Sequence, residues 1–380
     1  MDFRQDEMHE ELQQMYREFA QSSVKPLAAE IDKEERFPSE TVAQMAEMGL
    51  LGIPFPEEYG GTGMDNLSYV QCVEELSKVC AATGVIVSAH TSLCATPIYL
   101  FGTEEQKQKY LVPLAGGKTL GAFGLTEPGA GTDASGQKTT AMLQGDHYVL
   151  NGSKVFITNA GPAETYVIMA MTNKEKGNHG ISAFIVEKGF SGFKVGKHEE
   201  KMGIRASSTC ELIFEDCIVP KENLLGEEGA GFKIAMMTLD GGRIGIAAQA
   251  LGIAQGAIAE TVEYVKTRTQ FGKPLSAFQN TQFELAQMQA NTDAARLLVY
   301  RAAWAKDMHE SYSHLAAIAK LVASQNASDV TRRCLQLFGG YGYTREYAIE
   351  RMMRDAKITE IYEGTSEVQK MVISNWMGVR

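Results

Sequence analysis

The sequence has no uninterrupted apolar run of bilayer-spanning length, which takes roughly twenty residues, so no membrane span is predicted. Cysteine is scarce: Cys72, Cys80, Cys94, Cys210, Cys217 and Cys334 form no C-x-x-C pair and keep no histidines at metal spacing. A zinc ribbon and a disulfide framework are therefore not expected, and the six read as small buried thiols in a reducing compartment. Basic charge is short too, with 36 Lys and Arg against 47 Asp and Glu and a formal net charge of −11. No basic face stands out to neutralise phosphates, so a nucleic-acid partner is not expected. An anionic ligand is still allowed, because local arginines and helix N-termini hold anions in acidic proteins. The N-terminus from Met1 to Ala20 lacks the apolar centre of a secretory signal and the arginines of a mitochondrial transit peptide. Its Met8, Leu12, Met15 and Phe19 sit at helical spacing instead, and the protein is expected to be cytoplasmic.

What is present is a chain of 380 residues, 44% hydrophobic and 22% charged, enough for two or three domains. Residues 1–118 read as mainly helical, with apolar helical spacing over Thr41–Leu50, Leu67–Val79 and Thr103–Leu111. His90, alone in the apolar stretch 81–100, reads as a satisfied core residue. Over 119–229 the pattern changes to short β-branched and aromatic runs: Tyr148–Asn151, Lys154–Ile157, Tyr166–Met171 and Ser182–Glu187. Turn residues separate them, Asn-Gly-Ser after Leu150 included, which predicts an antiparallel β domain. Over 230–380 the helical period returns, with Leu251, Ile258, Val262 and Val265 on one face and a stop at Gly339-Gly340.

Familiar nucleotide motifs fail on context. Gly117-Lys118-Thr119 ends like a P-loop, but the leading glycine position is Val112. Gly129-Ala-Gly131-Thr-Asp-Ala134 imitates a dinucleotide fingerprint, yet a predicted strand, Lys138–Leu143, follows it where a helix is required. That loop can still bring backbone N–H groups close to a flat or anionic ligand. Thr126, Thr132, Phe156 and Thr158 would add hydroxyls and an aromatic face; a plain turn beside a core phenylalanine accounts for them equally. Arg268, before the break at Pro274, suits a pyrophosphate, and Arg243 a second anion or an internal carboxylate; either can also be a structural ion pair.

The segment Ile361–Gln369, Ile-Tyr-Glu-Gly-Thr-Ser-Glu-Val-Gln, concentrates the chemistry. Glu363 lies between Tyr362 and Gly364, and Ser366 with Gln369 fits a capping box that would start a helix towards Trp376. Taken alone, Glu363 suits a catalytic base or an ordinary solvated acid.

Together these pieces resemble the acyl-CoA dehydrogenase family along the whole chain. Leu125-Thr-Glu-Pro-Gly-Ala-Gly-Thr-Asp133 resembles one family signature. A second is resembled by Phe-Gly-Gly-Tyr-Gly-Tyr, Met-Arg-Asp-Ala-Lys-Ile and Ile-Tyr-Glu-Gly-Thr-Ser-Glu between Gln336 and Glu367. Leu239–Gly252 is most similar to the short-chain, butyryl-CoA type. The resemblance implies an α+β subunit: an N-terminal helical domain, a middle β domain and a C-terminal four-helix bundle. It also implies a homotetramer with one FAD per subunit, an acyl-CoA substrate, an electron-transferring flavoprotein as acceptor and no metal.

By position, the resemblance places Phe123, Leu125, Thr126, Gly131, Thr132, Phe156 and Thr158 at the flavin. Arg268, Phe271, Gln279, Gln336 and Gly340 would grip the FAD of a neighbouring subunit, and Thr365 and Glu367 would meet the cofactor after the base. Thr132, Asp240, Arg243 and Gly364 match substrate contacts. Phe156 stands where tryptophan is common, which puts exchange with the electron acceptor in question. Glu363 matches the base that takes the substrate's α-proton while the β-hydride goes to flavin N5, giving a trans-2-enoyl-CoA. A relative subgroup carries its base near Arg243, where this chain has only Asp240-Gly-Gly. Burial beside Tyr362 should raise the Glu363 pKa and the helix start lower it, with burial winning. The same fold also serves acyl-CoA oxidases, branched-chain and glutaryl-CoA dehydrogenases, and would serve a non-catalytic acyl-CoA-binding protein; chain length and direction, dehydrogenase or enoyl-CoA reductase, stay open.

Overall fold

Residues 6–379 are described in the computed structural model of the protein. Helices α1 (Glu7–Phe19), α2 (Ala28–Glu34), α3 (Ser39–Glu47) and α4 (Asn66–Val79) open the chain. Residues 1–5 of the expected N-terminal helix lie outside the described residues. The buried face of α1 is His9, Tyr16 and Phe19; the predicted stripe holds at Phe19 and, half-buried, at Leu12, while Met8 and Met15 point outwards. The cause is polar. His9 is held between Asp6 at 2.7 Å and Asp65 at 2.9 Å, which anchors α1 to the start of α4.

Residues Ala81–Phe101 form one continuous helical stretch, α5 (Ala81–Ser88), a wide-turn segment Ala89–Ala95 and α6 (Thr96–Phe101). It is long and apolar enough to cross a membrane by length and composition alone, but 83% of its apolar window is buried within the fold, as in a core helix. His90 is the predicted core residue: its Nδ1 accepts Gly121 N–H at 3.0 Å and its Nε2 lies 3.2 Å from the Leu114 carbonyl. Short helices α7 (Glu104–Gln106) and α8 (Val112–Ala115) lead into the sheet.

The sheet contains β1 (Gly121–Gly124), β2 (Thr140–Gln144), β3 (His147–Thr158), β4 (Thr165–Met171), β5 (Ile181–Glu187), β6 (Phe193–His198), β7 (Thr209–Pro220) and β8 (Leu224–Leu225). Its order is β6-β7-β3-β2-β4-β5-β8, with β1 beside β4. It is mixed, not purely antiparallel, since β4 pairs parallel with both β1 and β2. The expected turn at Asn151-Gly-Ser is a bulge within β3 instead: the register slips between Leu150 and Gly152. Gly152 takes φ +143° there because a side chain would strike Thr139.

Beyond the sheet, α9 (Gly231–Thr267), α10 (Gln279–Asp307) and α11 (Ser313–Phe338) lie side by side, and α12 (Ile349–Ile358) packs on α9 and α11 in the fourth position. A hairpin of β9 (Thr269–Gln270) and β10 (Lys273–Pro274) joins α9 to α10, and α13 (Ser366–Trp376) rests on α11. At about 55 Å, α9 is the common wall, touching α4, α5, α10, α11, α12 and β5. The candidate site forms where this wall meets the loop between α12 and α13.

Candidate active site

That loop presents Glu363 in the left-handed region (φ +52°), followed by Gly364 at φ +92°. The expected capping box is absent. Thr365 caps α13, its Oγ1 accepting Val368 N–H at 3.4 Å, while the Ser366 hydroxyl is buried without a partner. Gln369, the other half of the expected box, turns back instead: its Nε2 donates to the Gly364 carbonyl at 2.8 Å and the Glu363 carbonyl at 3.3 Å. The box fails because the Ser366 N–H already donates to the Glu360 carbonyl at 3.0 Å, and Gln369's amide is turned to the loop carbonyls.

The Glu363 side chain runs towards α9. A Cβ built on Gly242 would stand 2.0 Å from Glu363 Oε2 and 2.7 Å from a methyl of Leu93. Gly242 is thus a notch in the helix that admits the carboxylate. Within it Oε2 is out of contact with solvent and finds no hydrogen-bond partner among the described residues. Burial pushes the Glu363 pKa up to about 8, and the charges of Lys320 and Arg243 pull the other way. Burial wins, as expected, but the opposing influence is these two cations. Tyr362 is held by its hydroxyl on Gln249, whose Nε2 donates to the Ala81 carbonyl at 2.9 Å.

Arg243, one turn along α9, pairs with Asp240, which also accepts the Ser313 hydroxyl at 2.9 Å. Arg243 thus rests on an internal carboxylate, one of the two partners its sequence context suits. Buried Lys320 on α11 donates to the Gly364 carbonyl at 2.6 Å. Sequence reading missed Lys320, although a lone lysine among Ala316, Ala319, Ala323 and Ala327 on the apolar face of α11 was a visible signal.

The residues expected at a flavin gather at the ends of β1 and β3. Phe123 and Leu125 are buried, Thr126 and Thr158 are half-buried, and Gly131 and Thr132 are exposed on the loop after β1. Phe156 is 65% exposed in the left-handed region (φ +61°). An exposed aromatic ring in a conformation disfavoured for bulky residues is a costly arrangement without a ligand to meet. Val155 N–H donates to the Thr126 carbonyl at 2.9 Å, which ties the two strand ends together. Beneath them lies a network that sequence reading also missed. Buried Lys154 donates to the Leu125 carbonyl at 3.1 Å, Glu127 at 2.7 Å and Gln137 at 3.0 Å. Glu127 also accepts the N–H of Thr139 at 3.0 Å. No helix follows Gly131, only the short turn Ala134–Gly136 before β2, so the dinucleotide fingerprint fails as expected.

A second cluster lies at the far end of α9, where Arg268, Gln336 and Gly340 line a cleft of about 560 Å³. Arg268 stacks over Tyr341 at 5.3 Å and makes no ion pair among the described residues. An unpaired guanidinium in an open cleft suits an anion such as pyrophosphate. Two partners expected with it do not line this cleft: Phe271, 93% exposed at the hairpin tip, and Gln279, the first residue of α10. Glu367 is exposed in the first turn of α13. Among the described residues no cluster of His, Cys, Asp and Glu could hold a metal.

A helical–β–helical chain with a desolvated carboxylate notched into its longest helix defines a class. The chain belongs to the acyl-CoA dehydrogenase family: residues 6–118, 122–217 and 229–378 match the family's N-terminal, middle and C-terminal domains. Within it, the short-chain specific acyl-CoA dehydrogenase of Clostridium acetobutylicum is 64% identical over 98% of this chain and 99% of that one. The solved butyryl-CoA dehydrogenase of Megasphaera elsdenii is 54% identical, covers 99% of this chain and 100% of its own, and superposes with a TM-score of 0.98. A chain from a structure described as the electron transferring flavoprotein of Acidaminococcus fermentans, concerned with flavin-based electron bifurcation, is 59% identical over 99% of both chains, with a TM-score of 0.98.

Proposed function

We propose that the protein is an FAD-dependent short-chain acyl-CoA dehydrogenase, acting on a butyryl-CoA-like thioester, with Glu363 as the base. The observation that carries this is the unpaired Glu363 Oε2 in the Gly242 notch. A carboxylate in water is too weak to take a proton α to a thioester; one raised to about 8 is matched to that work near neutral pH. Oε2 takes the proton. The loop's left-handed turn fixes the direction of the carboxylate and of the Glu363 N–H, a donor for the thioester oxygen as negative charge builds there. Asp240 and Arg243 neutralise each other on the same helix and leave the base as the one carboxylate without a hydrogen bond at this point.

FAD, when bound, supplies the acceptor for the β-hydride. The exposed Phe156 ring, the Thr126 and Thr158 hydroxyls and the loop through Gly131 and Thr132 would hold its ring system. The Arg268 cleft would hold its pyrophosphate, and Thr365 and Glu367 would meet it beyond the base. Thr132, Asp240, Arg243 and Gly364 would contact substrate. The short-chain relatives support this substrate class. The likeness to the Acidaminococcus fermentans chain supports an electron-transferring flavoprotein as partner, and a 53% identical relative named acryloyl-CoA reductase (NADH), from Anaerotignum propionicum, supports the enoyl-CoA reductase direction as an alternative use of the same site. A homotetramer in the cytoplasm completes this reading, the buried free thiols according with a reducing compartment. Anaerobic titration of the yellow protein with acyl-CoAs of graded length is expected to bleach the flavin best near four carbons, roughly the butyryl length. A colourless protein, or equal bleaching by long chains, would contradict the proposal.

A further inference from the structure

The loop that carries Glu363 is held in a conformation that its own sequence does not favour. A glutamate in the left-handed region is strained and persists only where the surroundings over-determine it. Two buried donors converge on the next carbonyl, that of Gly364: Lys320 Nζ at 2.6 Å and Gln369 Nε2 at 2.8 Å. Between them they fill both lone pairs of that oxygen. Lys320 is fully buried on α11, and a lysine is rarely placed there unless paired. Its hydrogen-bond partner is a backbone carbonyl, so its charge stays unneutralised by direct contact and faces the loop.

Resting on the assignment of Glu363 as base, we propose that Lys320 is its positioning residue: it fixes the Gly364 carbonyl, and so the aim of the carboxylate, and its ammonium sets the pH range in which the base is ionised. Other charged and titratable groups face the same point. They are Arg243 and Asp240 on α9, Tyr312 before α11, Tyr362 beside the base, Tyr69 on α4, and Glu360 and Glu367 on either side of the loop. Arg243 is already engaged by Asp240, which leaves Lys320 as the stronger of the two cations acting on Glu363. Lys320 is itself pushed down to about 8 by burial, so it loses its proton over the range in which Glu363 loses its own.

The test uses FAD-loaded protein, with flavin content measured first. The rate of anaerobic flavin bleaching by butyryl-CoA is followed from about pH 6 to pH 10 in wild type, Lys320→Met, Lys320→Arg and Glu363→Gln. Loss of the ammonium favours the protonated base, so Lys320→Met is expected to bleach about tenfold more slowly at pH 7. Its deficit should narrow as pH rises, and Lys320→Arg should match wild type below about pH 8 and depart from it above, where the lysine has lost its proton and the arginine has not. An unmoved profile in Lys320→Met, or one in Lys320→Arg displaced as far as that of Lys320→Met, would overturn the proposal. If Lys320→Met does not accumulate as holoprotein, Lys320→Gln carries the same test, because it keeps a donor and loses the charge. Wild-type bleaching by Glu363→Gln would instead sink the base assignment, so the two failures are distinct.

Discussion

Glu363 Oε2 occupies the space that a side chain on Gly242 would fill, 2.0 Å from where its Cβ would stand. This relation joins two segments distant in sequence and accounts for Gly242; its neighbour Gly241 faces Lys306 Nζ instead. Helix propensity argues against glycine at 242 by roughly 1 kcal/mol, a cost offset by room for a carboxylate.

Gly242→Ala should therefore displace the carboxylate more than it harms the fold. The clashing atoms are ends of flexible side chains, and alanine favours the helix. Flavin content and melting temperature are expected to stay close to wild type, while bleaching by butyryl-CoA falls by about a hundredfold. Bleaching at the wild-type rate would remove the notch from the account.

Glu363 also imposes a pH-dependent cost on the fold. Its folded pKa, raised to about 8, lies above the ordinary 4.5, so between these values the folded state binds more protons than the unfolded state. Its contribution to stability accordingly falls as pH rises through this window and levels off above it. Glu363→Gln should be more stable than wild type at pH 8 by about 1–3 kcal/mol, with the gap closing towards pH 5. Denaturant unfolding at the two pH values measures this; a constant gap would contradict a desolvated carboxylate.

In the Arg268 cleft, removing the unpaired guanidinium takes away the charge suited to a pyrophosphate. Arg268→Ala should lose about half or more of its flavin on gel filtration, a drop in retention consistent with roughly 1.5–3 kcal/mol for a charged hydrogen bond. Unchanged flavin content would place the pyrophosphate elsewhere.

Lys154→Met strips a buried carboxylate, Glu127, of its ion-pair partner and frees the Leu125 carbonyl. Breaking a buried pair from one side costs roughly 3–5 kcal/mol. A lowered melting temperature with weakened flavin retention is expected; differential scanning calorimetry of the holoprotein reads the first and absorbance after gel filtration the second.

Much of this was legible in the sequence, for identifiable reasons. The long helices α9 and α11 carry a sustained period, and Gly339 ends α11 at φ +59° as its type suggests. Ala81–Phe101 reads as apolar, but Ser88, His90, Thr91 and Ser92 break it below a span-length run, and each finds a partner inside the fold. Asn151-Gly-Ser carries turn chemistry, yet partner strands on both sides hold it as a bulge. Around Glu363 the base was legible and its surroundings were not. The notch at Gly242, the Lys320 donor and the reversal of Gln369 arise from segments that meet only in three dimensions.

The central claim is that Glu363 removes the substrate's α-proton, and anaerobic mixing of butyryl-CoA with FAD-loaded wild type and Glu363→Gln tests it most directly. Wild type should bleach, while Glu363→Gln should bind the thioester, with its flavin spectrum perturbed, and remain yellow. Bleaching of Glu363→Gln at a near wild-type rate would contradict the account.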